Sequence, residues 1–208
     1  LLAQDLAGAI AKAAEEVIDG RHDDQFVVDI FQTGSGTSTN MNMNEVLAFR
    51  ANEILTGQKG RPAPVHPNDH VNQGQSSNDV IPSTIHLAAH VQMNRVLEPA
   101  LELLQQELAR QGRLLATVRK IGRTHLQDAV PITLGDEFGG YARQIELARE
   151  RLQAVAPRLQ ELALGGTAVG SGLNTHPAFA GRVIDRLAAQ TGIPWREAAN
   201  HYQAQAAQ

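Results

Sequence analysis

Apolar residues Leu2, Leu6, Ile10, Ala13, Ala14 and Val17 recur at helical spacing, so the stretch from Leu1 to Asp19 predicts an amphipathic helix that Gly20 ends. Residues 26–31, Phe-Val-Val-Asp-Ile-Phe, form a short β-branched run leading into a segment of glycines and hydroxyls. A second helix is predicted from about Asn44 to Leu55. Lys59 to Gly74, carrying Pro62, Pro64 and Pro67, reads as loop and as the domain boundary. After Asn78 the pattern lengthens: Ile85, Ala88, Ala89, Val91, Val96 and Leu97, then Leu101, Leu104, Leu108 and Leu115. Pro99 suits a first helical turn and not an interior, which predicts a break or kink near Glu98. A further helical pattern runs from Asp136 to Leu164 through Phe138, Tyr141, Ile145, Leu152, Val155, Leu159 and Leu162. At ~1.5 Å per residue it would be roughly 40 Å long. Helices of that length bury their stripes against one another, so the expected class is mainly α, with a bundle.

Composition narrows the function classes. The 208 residues are 42% hydrophobic and 19% charged, enough to bury one core or one and a half. A net charge of -4 without a basic cluster gives no footprint for nucleic acid or an anionic membrane surface. No apolar run of ~18 residues could span a bilayer, and no secretory leader is seen. The absence of cysteine excludes disulfides, thiolate catalysis and cysteine metal sites, and fits a cytoplasmic location. Leu1 enters a helical pattern without an N-cap, and the pattern after Trp195 stops without a terminator, so the chain is expected to be an internal piece of a longer protein.

Four segments carry candidate chemistry. Gly34-Ser35-Gly36-Thr37-Ser38-Thr39-Asn40 is either a turn with capping hydroxyls or an uncharged anion cradle, because glycine lets N–H groups approach closely. Gln75-Ser76-Ser77-Asn78-Asp79 supplies N-cap residues, and a helix N-terminus also suits a carboxylate. Gly122-Arg123-Thr124-His125-Leu126-Gln127-Asp128 places a histidine, able to polarise water and pass a proton, beside a threonine; alone it is also an ordinary surface histidine. His66-Pro67-Asn68-Asp69-His70 has two histidines four apart, but Pro67 argues against a zinc helix and no metal is expected. His86 and His90 read as surface or packing groups, and the glycine-rich 165–172 as a close-packed connector.

Together and in this order, the blocks Gln32–Val46, His66–Pro82, Gly122–Gly135 and Leu164–Pro177 resemble the fumarase/aspartase superfamily, most closely its class II fumarases. Aspartases typically carry Ser-Thr-Asn where this chain has Ser76-Ser77-Asn78, and glutamine in place of His125, so both positions favour fumarase. The resemblance implies a partial N-terminal lyase domain over 1–77, followed by the first part of a central long-helix bundle over 78–208. It implies reversible hydration of fumarate to (S)-malate through an aci-carboxylate. Ser35, Gly36, Thr37, Ser76, Ser77, Asn78 and Thr124 would bind the small dicarboxylate. His125 would contact the reacting water, and His66, Pro67, Asn68 and Asp69 would form a second carboxylate site.

No cofactor is implied. The family's base is a serine on a Gly-Ser-Ser-x-Met-Pro-x-Lys-x-Asn loop, a pattern absent from these residues, so the chain by itself is expected to be inactive. Family members are homotetramers with each site drawn from three chains. Aspartate ammonia-lyase, another superfamily lyase and a non-catalytic structural relative such as a lens crystallin are the alternatives.

Overall fold

A computed structural model describes residues 2–207. They form two compact units, Leu1–Ile85 with Glu161–Gln208, and His86–Gln160.

In the first unit α1 (Gln4–Ile18) packs on α2 (Thr37–Thr56). The shared core is made of small residues, Ala9, Ala13, Ala48 and Ala51, closed by Val65 and flanked by Leu6, Ile10, Leu47 and Ile54. Alanines let two helix backbones approach closely. The Glu16 carboxylate bridges the pair by accepting from Arg50 Nη2 at 2.9 Å, which holds its pKa down at about 2.

α2 begins seven residues before the expected Asn44, because its inner stripe is amide rather than aliphatic. Asn40 and Asn44 both donate to Asn72 Oδ1, at 3.1 and 2.9 Å. Asn52, fully buried, donates to Arg61 O and Val65 O and accepts the Val65 N–H. Buried amides at helical spacing are invisible to a hydrophobic count, yet here they tie the 59–74 loop to the helix. That loop includes a short π-helical turn, Pro67–Val71. The 26–31 run forms no strand, and Val27, Ile30 and Phe31 stand exposed.

α3 (Ser77–Gln92) leads into a π-helical segment, Met93–Leu97, and α4 (Glu98–Leu114) follows without interruption. The break or kink expected near Glu98 takes the form of a π-helical change of register that does not end the helix. Pro99 sits in the first turn of α4, and the widened turn ahead of it accommodates the ring and the missing N–H without ending the helix.

In the second unit α4 packs along α5 (Leu134–Leu159). Gly112 and Gly135 set their separation, since a Cβ on Gly135 would lie 2.6 Å from Ala116 Cα. α5 starts at a capping box, Thr133 with Asp136, and ends before the expected Leu164 because Leu162, Ala163 and Leu164 leave the helix to become buried in the first unit. Between α4 and α5 lies an antiparallel hairpin, β1 (Arg119–Thr124) and β2 (Gln127–Thr133), which the sequence pattern did not predict. Gly122 permits it: a Cβ there would meet Val130 O at 2.9 Å.

The remaining elements belong to the first unit. β3 (Glu161–Leu162) pairs in parallel with β4 (Arg196–Glu197), α6 (Phe179–Thr191) lies between them in sequence, and α7 (His201–Ala206) follows. Among the described residues no helix is long and apolar enough to cross a membrane.

His90 is a packing histidine. It is 3% exposed, its ring nitrogens lie 2.8 Å from Asn94 Nδ2 and 3.1 Å from Gln160 Nε2, and burial pushes its pKa below the usual histidine value. The folded chain thus holds His90 neutral, while the unfolded chain takes up a proton as pH falls through about 6.5. Stability from this group is present above that pH and is lost as pH falls toward the lower folded value. The urea midpoint measured from pH 7.5 to 5 should drop more steeply for the unmodified chain than for His90→Gln; equal slopes would remove His90 as the cause.

Candidate active site

Two helix N-termini meet through hydroxyl groups in the first unit. Thr37 opens α2 and Ser77 opens α3, and their hydroxyl oxygens are 3.2 Å apart. The chain of hydroxyls continues from Thr37 to Ser35 at 3.1 Å and on to Thr33 at 3.2 Å. Gly36 makes this possible with a left-handed φ of 65° at the α2 N-cap, where a Cβ would press on Ile81 at 3.0 Å. Each terminus brings N–H groups and partial positive charge to a place reached by several neutral donors.

Ser76 caps α3. Its Oγ accepts the Asn78 N–H at 3.2 Å, and Asp79 reaches back to accept the Ser76 N–H at 2.9 Å. The capping role and a ligand-binding role coexist in this block, because a hydroxyl that accepts can still donate. Asn78 donates to Ala168 O at 2.7 Å, which brings the glycine-rich 165–172 segment against the α3 terminus.

These groups edge a cavity of about 400 Å³ whose walls include Ser35, Ser77, Asn78, Ala168, Tyr202 and Gln205. Its described lining holds no cationic side chain. A larger concavity of about 700 Å³ lies on α6 around Phe179, Arg182, Arg186 and Leu187, but it includes none of the sequence-derived candidates. We place the site in the smaller cavity, because the α2 and α3 N-termini and the candidate groups Ser35, Ser77 and Asn78 converge there.

Thr124 and His125 belong to the second unit. Thr124 pairs with Gln127 at the end of the hairpin, so His125 and Leu126 form its two-residue turn, with φ of 50° and 63°. Positive φ at both central positions is the mirror-image turn that follows strand twist. Asparagine or glycine is the usual occupant. His125 accepts this backbone and is presented to solvent at the tip.

His66 begins the π-helical turn, where its Nδ1 accepts the Asp69 N–H at 3.2 Å and its own N–H goes to His70 Nδ1 at 2.8 Å. Pro67 occupies the first turn, and His66, Asn68 and Asp69 are exposed. Among the described residues no group of three or more His, Cys, Asp or Glu could hold a metal ion.

A family model described simply as lyase matches residues 1–208. The chain belongs to this lyase family. Among its lyase relatives is the class II fumarate hydratase of Halobacterium salinarum, 56% identical over 207 residues, which cover 100% of this chain and 44% of the relative. The structure of a recombinant class II fumarase from Schistosoma mansoni superposes with a TM-score of 0.84 at 40% identity, covering 98% of this chain and 46% of that one. That of a fumarate lyase:delta crystallin from Brucella melitensis, bound to cobalt, gives a TM-score of 0.87 at 45% identity over 98% of this chain and 44% of its own. The lyase chain thus spans less than half the length of these relatives.

Three contributors to the candidate site escaped the sequence. Tyr202 and Gln205 come to the cavity from α7, far along the chain, and Gln205 Nε2 donates to Thr167 O at 2.7 Å. Asp79 looked like one more capping residue. Its spacing from Ser76 is a local signal, but its bonds to Gly165 and Thr167 have none.

Proposed function

We propose that the protein of which these residues form part is a class II fumarate hydratase, adding water reversibly to fumarate to give (S)-malate. The observation that carries this reading is the meeting of the α2 and α3 N-termini through Thr37 and Ser77, beside Ser35 and Asn78, at the mouth of the cavity. The names of the relatives, class II fumarate hydratase and class II fumarase, support it.

In the dehydration direction, from malate to fumarate, a base removes a proton from the carbon next to a carboxylate, and the electron pair moves onto that carboxylate to give an aci-carboxylate before water leaves. The added negative charge needs donors already in place, which neutral hydroxyls and N–H groups provide without counter-ions or reorganisation. Ser35, Thr37, Ser76, Ser77 and Asn78, with the backbone freedom of Gly36, would hold the substrate carboxylates, and Thr124 would add a donor. His125 would polarise the reacting water and carry its proton. His66, Pro67, Asn68 and Asp69 would form a second carboxylate site on the exposed turn. The base itself would lie outside these 208 residues.

Assembly is part of the same proposal. No residue of α4 is buried, and Leu103, Leu104, Tyr141 and Val155 on α4 and α5 stand exposed. Unpaired apolar stripes on long helices suit further copies of the same chain, as in a homotetramer whose sites draw on three subunits. On that plan 1–77 belongs to the N-terminal lyase domain and 78–208 opens the central bundle. No cofactor is required, and a cytoplasmic location fits the cysteine-free sequence.

In a version extended to the length of the relatives, Ser77→Ala removes one hydroxyl donor to a carboxylate. This should weaken fumarate use by about 10- to 100-fold in kcat/KM, as loss of a hydrogen bond to a charged group does. Ammonia release from aspartate with no turnover of malate would instead assign the protein to the ammonia-lyases. Absence of both activities despite a folded tetramer would point to a structural relative.

A further inference from the structure

We infer that Asp79 is the positioning residue of this site, clamping the glycine-rich 165–168 wall of the cavity to the α3 N-terminus that bears Ser76, Ser77 and Asn78. Asp79 has no exposed surface. One carboxylate oxygen accepts the Ser76 N–H at 2.9 Å, and the other accepts the N–H groups of Gly165 at 3.1 Å and Thr167 at 2.9 Å. Three backbone donors on one carboxylate are worth more than neutral bonds, and they join segments that lie 86 and 88 residues apart in sequence.

The wall needs such a holder. Gly165 and Thr167 sit at φ of 101° and 54°, a region that threonine enters only under constraint. Gly165 also lies so close to α6 that a Cβ would fall 2.7 Å from Ala180 Cβ. From this held backbone Ala168 presents the carbonyl that accepts from Asn78 at 2.7 Å. Asp79 thus sets where Asn78 stands without touching a ligand. A negative group so near a dianion site would normally repel the ligand, but here N–H dipoles face both oxygens.

The consequence for catalysis rests on the dicarboxylate reading of the cavity. Groups that hold the substrate carboxylates, one of which takes up the added charge of the aci-carboxylate, act in the ground state and more strongly in the transition state, so their displacement appears in kcat/KM. Asp79→Asn keeps the shape but turns an NH2 group toward at least one backbone N–H. In the full-length enzyme the variant should lower kcat/KM for fumarate by about 10-fold or more, as expected for losing a charge-assisted bond.

Amide hydrogen exchange separates positioning from general weakening. In Asp79→Asn the amides of Ser76, Gly165 and Thr167 should exchange at least about 10-fold faster, while those of Ala48 and Ala51 in the helical core do not change. Uniform acceleration across the chain, or an unchanged kcat/KM, would overturn the inference. Should the variant fail to fold, the unmodified chain decides: protected Gly165 and Thr167 amides support the clamp, and free-loop exchange rates at both remove it. Exchange needs no substrate, so an unmodified enzyme inactive on fumarate would sink the functional reading and leave the clamp to be judged by exchange.

Discussion

Asn52→Leu is expected to cost roughly 2 to 6 kcal/mol of stability, since it leaves buried peptide groups without partners at ~1 to 3 kcal/mol each. Asn52 and Val65 are both fully buried. The asparagine serves the Val65 N–H at 2.6 Å and the Val65 carbonyl at 2.9 Å, and it also reaches Arg61 O at 3.0 Å. Leucine matches asparagine in the number and branching of its heavy atoms but is bulkier, so no cavity opens while two buried polar groups lose these bonds away from water. Against a usual domain stability of about 5 to 15 kcal/mol, this brings the unit close to unfolding at ambient temperature. Urea denaturation followed by circular dichroism measures it. Gln106→Leu, on the exposed side of α4, is the control and should shift stability by no more than about 0.5 kcal/mol. An Asn52→Leu chain as stable as the unmodified one would show that the 59–74 loop is not held in this way.

The same asparagine marks where sequence stopped giving the fold. The α1 pattern and the long helices after Asn78 announced themselves through aliphatic spacing, and the structure has them close to where they were expected. α2 did not, because Asn40, Asn44 and Asn52 take the inward positions that a periodicity count reserves for aliphatics. At Glu98 proline does disfavour an ordinary helical interior, but a π-helical turn ahead of it lets the helix continue. The hairpin was hidden because its two-residue turn is His125-Leu126, with neither glycine nor asparagine to signal it.

The site was legible to the extent that its chemistry is local. Hydroxyls at 75–79 marked a helix start and the glycines and hydroxyls at 34–40 a turn or anion cradle; the structure puts a helix start in both and joins them through Thr37 and Ser77. What joins the second block to residues 165–168 is a set of bonds between peptide groups and one carboxylate, and no spacing along the chain encodes it. Family resemblance added roles to residues but not their geometry. His125 shows the difference: the resemblance gives it a place next to water, while the backbone explains only that it tips a hairpin.

Removing a general base lowers an enzymatic rate by about 100- to 10,000-fold, which makes division of the site between these residues and a loop elsewhere directly measurable. The 208-residue chain and a version extended to the length of its relatives are given malate side by side, and fumarate formation is followed by its absorbance. The extended protein should turn over malate, and the short chain should fall below it by at least that factor. Equal turnover by the short chain would contradict the assignment of the base to a segment outside it, and His125 would become the leading candidate for that role.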